Sequence, residues 1–293
     1  MSGFANIILG GIFHAAVLFL VAAGLQLVFG VQKIVNLACG SFYALGAYFG
    51  ITAVVIAQQW GLPPLLLLPV LILSGLAMGI VGPPIERLLR TVYARDESFQ
   101  LLLTFSFVLM FQDVFRFFWG ANPRSLDNIY LAYGKLQWGD LSVPVYNLLV
   151  IAAAVGAALL IGQLLRATNW GRILRATAEN RQMAEALGVD VGRVYATVFT
   201  VGTMLGTIGG ALVVPTAAAS LDMAVEFVIE AFAVVVIGGL GSMSGAMVGA
   251  LLVGLIRAVS LIIYPEFEIL AIYLIVIAVL LLRPSGLFGK PAT

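Results

Sequence analysis

Long apolar runs separated by short polar connections repeat along the whole chain. A helix needs about 20 predominantly apolar residues to cross a bilayer. Nine stretches are candidates: Ile7–Gly30, Val35–Ala57, Leu65–Gly82, Phe99–Trp119, Val143–Leu165, Val194–Val214, Phe227–Leu240, Ala246–Ile263 and Ile269–Leu282. The pattern therefore predicts an all-α, polytopic transmembrane helical bundle of about 8–10 spans, forming one domain over residues 1–293. Basic residues gather in alternate connections: Lys33, Arg87 to Arg95, the stretch 166–193, and Arg283 to Lys290. Basic loops stay on the cytoplasmic side. With an odd number of spans, that rule places the N-terminus outside and the C-terminus inside.

Glycine spacing adds packing information. Gly202, Gly206 and Gly210 fall four apart, as do Gly241, Gly245 and Gly249. Small residues at that spacing let helix backbones approach, so both trios read as helix-packing faces. Gly46 and Gly50, and Gly75 and Gly79, are further close-approach pairs. The Gly-rich first half of Val35–Ala57 fits either close packing or a broken, re-entrant element shielded from lipid. Pro83 and Pro84 are expected to bend the chain after the third run.

The stretch 166–193 has structure of its own. It carries Arg166, Arg172, Arg175, Arg181 and Arg193, five of the fifteen Lys and Arg residues. Asn180 can cap a helix over Arg181–Leu187, and Gly188 can end it in a left-handed conformation. Met183 and Leu187 share one face, and Arg181 and Glu185 share another. Ala184 and Ala186 are small enough for a close approach. Such a helix below a bundle is either a docking element for a soluble partner or part of a solvated loop.

Polar residues inside the apolar runs are few. Gln26, Asn36 and Ser41 are candidates for a translocation path, and Asn36 can equally cap a helix. Glu230 and Arg257 each fall roughly 6–9 Å inside the outer end of neighbouring spans. An unpaired charge there is costly, so the two are expected to pair, as a structural ion pair or as a gate. Asp113 and Arg116, three apart, are also expected to pair. His14 reads as a hydrogen-bonded residue near a helix end.

Composition excludes much else. The chain is 62% apolar and 10% charged, with net charge +1, which removes any case for nucleic-acid binding. One Cys (Cys39) and one His leave no metal or haem site and no internal disulfide. There is no HExxH or GxSxG. The C-terminal PSGLFGKP is not a phosphate loop, because Pro284 stands at the first Gly and Pro291 follows Lys290. No catalytic residue or metal ligand is therefore assigned, and nucleotide-driven work must come from another chain.

Four segments carry a family resemblance: GLQLVFGVQKIVNLACGSFYALGAYFG (24–50), RILRATAENRQMAEALGVDVGRVY (172–195), EAFAVVVIGGLGSMSGAMVGALLVG (230–254) and RPSGLFG (283–289). Their order and spacing resemble the LivH-type permeases, the membrane subunits of branched-chain amino-acid ABC importers. Cys39 and Ser41 depart from the acidic residue or His that the family usually has there. The run Asn180, Arg181, Met183, Ala184, Glu185, Ala186, Leu187, Gly188 resembles the coupling helix that docks on the ATPase, with Leu187 in place of the second Ala.

The resemblance implies a permease domain in a bacterial or archaeal cytoplasmic (inner) membrane. Its expected partners are a second, LivM-like permease, two cytosolic ATPase subunits that hold ATP and Mg, and a periplasmic or lipoprotein substrate-binding protein. The chain itself would bind no cofactor and would not be an enzyme. Expected cargo is a branched-chain or other hydrophobic amino acid. Urea, short amides or aromatic acids on the same scaffold, and a stand-alone carrier or channel, are the alternatives.

Overall fold

The computed structural model describes residues 2–93, 95–138 and 141–289. Lys290 and Pro291 lie outside the described residues. Helix α1 (Ser2–Gln32) leads through a short turn into α2 (Cys39–Gln59). A path of helical segments follows, α3 (Leu67–Met78) and α4 (Gly82–Leu89), then α5 (Glu97–Trp119). A short α6 (Asp127–Ala132) and an antiparallel hairpin, β1 (Lys135–Trp138) with β2 (Leu141–Pro144), precede α7 (Val145–Ala167). Helices α8 (Asn169–Glu179) and α9 (Arg181–Ala186) make up the basic stretch. The chain ends with α10 (Val191–Val213), α11 (Met223–Gly238), α12 (Met243–Ile263) and α13 (Glu268–Leu282).

The protein is a multi-pass helical membrane bundle. Among the described residues, seven helical stretches are long and apolar enough to cross a membrane. The stretch from Pro64 to Val92 counts as one of them. Helices α11 and α13 have 16 and 15 residues. At 1.5 Å per residue they reach only about 24 and 22 Å, short of a bilayer core of about 30 Å. Pro83 and Pro84, expected to bend the chain, fall within the helical stretch from Pro64 to Val92. They occupy the first turn of α4, where a proline sacrifices no hydrogen bond, and the helical path continues to Val92. The antiparallel pairing of β1 with β2 was not foreseen from the sequence.

Helix α10 is the central shaft. It packs on α1, α2, α3 and α4, and glycines set those contacts. A Cβ on Gly210 would fall on the Tyr43 carbonyl oxygen, one on Gly46 on the Thr207 backbone, and one on Gly24 on the Gly202 backbone. Gly75 of α3 touches the Ile208 backbone, and the Thr207 hydroxyl donates across to the Gly75 carbonyl at 2.7 Å. Helix α2 is thus continuous and its glycines are close-approach sites, so the re-entrant alternative falls.

Gly206 is different from its neighbours. A Cβ there would meet Phe42 Cβ at 3.4 Å, an ordinary contact. In the second trio, Gly245 meets the Gly238 backbone and Gly249 meets the Val234 carbonyl, joining α12 to α11. Gly241 does not belong to that face. It precedes α12 in the connecting turn with φ +81°, so its glycine serves a left-handed turn and not helix packing.

Candidate functional site

Two polar clusters lie at the two ends of α10. At its start lies the basic stretch. Thr168 caps α8 by accepting from the Gly171 amide at 3.2 Å, and Asn180 Oδ1 caps α9 by accepting from Met183 N at 3.0 Å. Gly188 has φ +85° and closes the turn. A Ser, Thr, Asn or Asp cap is worth about 1 kcal/mol, which matters to a helix of under two turns.

Arg181 Nε donates to Glu185 Oε1 at 3.0 Å, and its guanidinium sits 5.6 Å from the Tyr195 ring centroid. The hydrogen bond to Glu185 holds the Arg181 pKa above its ordinary value. The Tyr195 contact fastens α9 to the start of α10. Ala184 is buried inward, so it holds α9 to the bundle and is not open to a partner. Ala186 is exposed, with Met183 at 58% and Leu187 at 78%. Two large apolar side chains thus project from a rigidly mounted short helix.

A second clasp lies close by and was missed in the sequence. Arg90 holds the fully buried Glu86 at 2.7 Å and donates to the Gly192 carbonyl at 2.7 Å. Gln32 donates to the Tyr195 carbonyl at 2.9 Å. Both tie neighbouring helices to the first turn of α10. The i,i+4 spacing of Glu86 and Arg90 was the available signal.

At the far end of α10 is a cavity of about 350 Å³ between α1, α10, α11 and α12. Its polar wall is a charged cluster. Arg257 Nη1 is 3.2 Å from Glu230 Oε1, so the expected pair forms. It does not stand alone. His14 Nε2 lies 2.8 Å from Glu230 Oε2 and 2.6 Å from Arg257 Nη1, and Arg257 Nε donates to Glu268. His14 sits well inside α1 and not near its end. The side chains of His14, Glu230 and Glu268 are 16–19% exposed and that of Arg257 29%. His14 and Glu268 escaped assignment because nothing local links them to Glu230. Tyr43 and Phe227, stacked at 3.6 Å between centroids, form part of the apolar wall.

The other path candidates lie elsewhere. Gln26 spends both ends of its amide on the turn before α12, donating to the Gly239 carbonyl at 2.9 Å and accepting from Gly241 N at 2.5 Å. The tail also closes this turn, through Leu287 N to the Ile237 carbonyl and Phe288 N to the Gly238 carbonyl, at 2.9 and 3.0 Å. Asn36 Oδ1 accepts from Ala38 N at 3.0 Å and borders a water-sized pocket with Cys39 and Phe42. The Ser41 hydroxyl is buried without a hydrogen-bond partner. Asp113 and Arg116 are both exposed and do not pair. Gln112, one residue before, reaches instead to Asp222 at 3.1 Å. Among the described residues, no group of His, Cys, Asp and Glu is arranged to hold a metal ion.

Residues 7–282 match the family model described as the branched-chain amino acid transport system permease component. The chain is 26% identical to the high-affinity branched-chain amino acid transport permease LivH of Escherichia coli K12, covering 93% of this chain and 91% of that protein. It is 24% identical to BraD of Pseudomonas aeruginosa, with the same coverage, and 28% identical to a probable LivH of Methanocaldococcus jannaschii, covering 96% and 91%. No solved structure matches. The match over 7–282 places the chain in the branched-chain amino acid transport system permease family.

Proposed function

We propose that this chain is a permease subunit of an ATP-driven ABC importer that moves branched-chain or other hydrophobic amino acids. The observation that carries this reading is the family match over 7–282, joined to a capped, apolar-faced helix mounted at one end of α10. The alternatives of a urea, amide or aromatic-acid importer, or of a stand-alone carrier, have no comparable support. In this reading α9 docks on one of two cytosolic ATPases, which bind ATP and Mg, and a LivM-like permease completes the membrane part. A periplasmic or lipoprotein binding protein delivers cargo at the cavity end. In this reading the α9 end faces the cytoplasm of a bacterial or archaeal cell, with the N-terminus outside and the C-terminus inside, which the basic loops support.

Mechanically, ATPase closure would move α9, the Arg181–Tyr195 contact would pass that motion to α10, and the Arg90 and Gln32 ties would carry it on from α10 to the neighbouring helices. Close glycine packing favours a switch between discrete arrangements over smooth deformation. The test is a gentle-detergent purification of the tagged chain with its co-purifying proteins, followed by reconstitution. Two ATPases, a second permease and ATP-dependent leucine uptake are expected. A chain that repeatedly purifies alone and transports without ATP overturns the reading.

A further inference from the structure

Resting on the importer reading, we propose that the cavity at the far end of α10 is a transit site for a zwitterionic amino acid, with the ammonium at Glu226 and the carboxylate at Arg257. Glu226 lines the cavity one turn before Glu230 on α11. It is exposed, and its carboxylate makes no ion pair or hydrogen bond among the described residues. Arg257 engages neighbours through Nε and Nη1, whereas its Nη2 has no acceptor among the described residues. One open acceptor and one open double donor thus face a shared space. A carboxylate accepts from an ammonium, and a guanidinium edge donates to a carboxylate, as charge-assisted bonds.

The two open groups sharpen the ligand class. Glu230 and Glu268 hold the Arg257 guanidinium, and Glu226 lines the same cavity. A carboxylic acid anion alone leaves Glu226 without a partner, an amine alone leaves the open Arg257 edge without one, and urea or an amide brings neither charge. A zwitterion brings its own positive charge for Glu226 while meeting Arg257 with its anion. The remaining walls, including Tyr43, Phe227, Val213 and Leu261, suit an apolar side chain. A volume of about 350 Å³ falls at the small end of the range for small-molecule sites, roughly 300–1,000 Å³.

The test uses the assembled complex carrying Ala217→Cys, a cavity-lining position, in a Cys39→Ala background. The rate of modification by a small methanethiosulfonate is read with added leucine, 4-methylpentanoate or 3-methylbutylamine. Leucine is expected to slow modification about tenfold, the size of one charge-assisted bond, and the two single-charge analogues clearly less. Glu226→Gln should remove the leucine protection. In transport, it should lower maximal uptake without changing the concentration of loaded binding protein that gives half-maximal rate. No protection by leucine, equal protection by the acid or amine, or protection that survives Glu226→Gln overturns the proposal. Failure of the importer reading is separate, since the unsubstituted complex would then show no ATP-dependent uptake.

Discussion

The two ends of α10 are built on opposite principles. At its start, the cap, the ion pair and the left-handed stop of α9 all lie between Asn180 and Gly188, within a few residues of one another. At its finish, the cluster joins His14, Glu230, Arg257 and Glu268 from four helices, with His14 and Arg257 separated by 243 positions. The first end is a local motif presented outward. The second exists only when the bundle closes. The first can therefore be altered without disturbing the fold, whereas the second is part of what holds the fold together.

The sharpest way to break this contrast is to attack the shaft between the ends. Gly210→Leu places a branched side chain where the Tyr43 carbonyl stands, and no assembled protein is expected in a detergent size-exclusion profile. Gly206→Ala, with an ordinary contact at 3.4 Å, should assemble normally. If both behave alike, glycine packing along α10 is not what organises the bundle. The next effect is Arg257→Ala. It leaves Glu230 and Glu268 without their guanidinium, and for a part-buried pair beside a cavity the cost falls below the roughly 3–5 kcal/mol of a fully buried one. The thermal midpoint should drop accordingly. Glu230→Gln in the same background should add less than its separate effect, and simple additivity would argue that the cluster is not one unit.

The opposite end should respond differently. Leu187→Asp changes a side chain that is 78% exposed. Its stability should stay within about 0.5 kcal/mol of the parent, while the ATPase no longer co-purifies or uptake per ATP collapses. Normal coupling would remove α9 as the docking element. The smallest effect is Asn180→Ala. Loss of the cap costs about 1 kcal/mol, to be seen as faster amide exchange confined to 181–186 with no change at the cavity end. Protection unchanged in that segment would mean that the bundle, not Asn180, holds α9 in place.

What could be read from the sequence follows the same division. The cap at Asn180, the helix after it and the stop at Gly188 were legible because each is a hydrogen bond or a dihedral preference among near neighbours. The Glu230–Arg257 pair was legible by depth alone, since two unpaired charges at matching depth in adjacent helices have few other ways to be stabilised. His14 and Glu268 were not, because their helices become neighbours of Arg257 only through packing. The regular spacing of Gly241 with Gly245 and Gly249 misled for a related reason. Spacing reports a helix face only if all members are in the helix, and the turn before α12 ends at Ser242. Asp113 and Arg116 had the right interval, but both stayed exposed, where pairing gains little.

The sequence by itself determined that the chain is a helical membrane bundle, where most of its spans run, and how α9 is capped and closed. Those are consequences of hydrophobic length and near-neighbour hydrogen bonding. Only the tertiary structure decided that Gly202 and Gly210, but not Gly206, are pressed against backbone, and that Gln26 is spent on the turn before α12. It also decided that Glu226 and an edge of Arg257 remain open beside a cavity. These depend on which helices touch and at what distance, which the apolar pattern of each helix leaves undetermined.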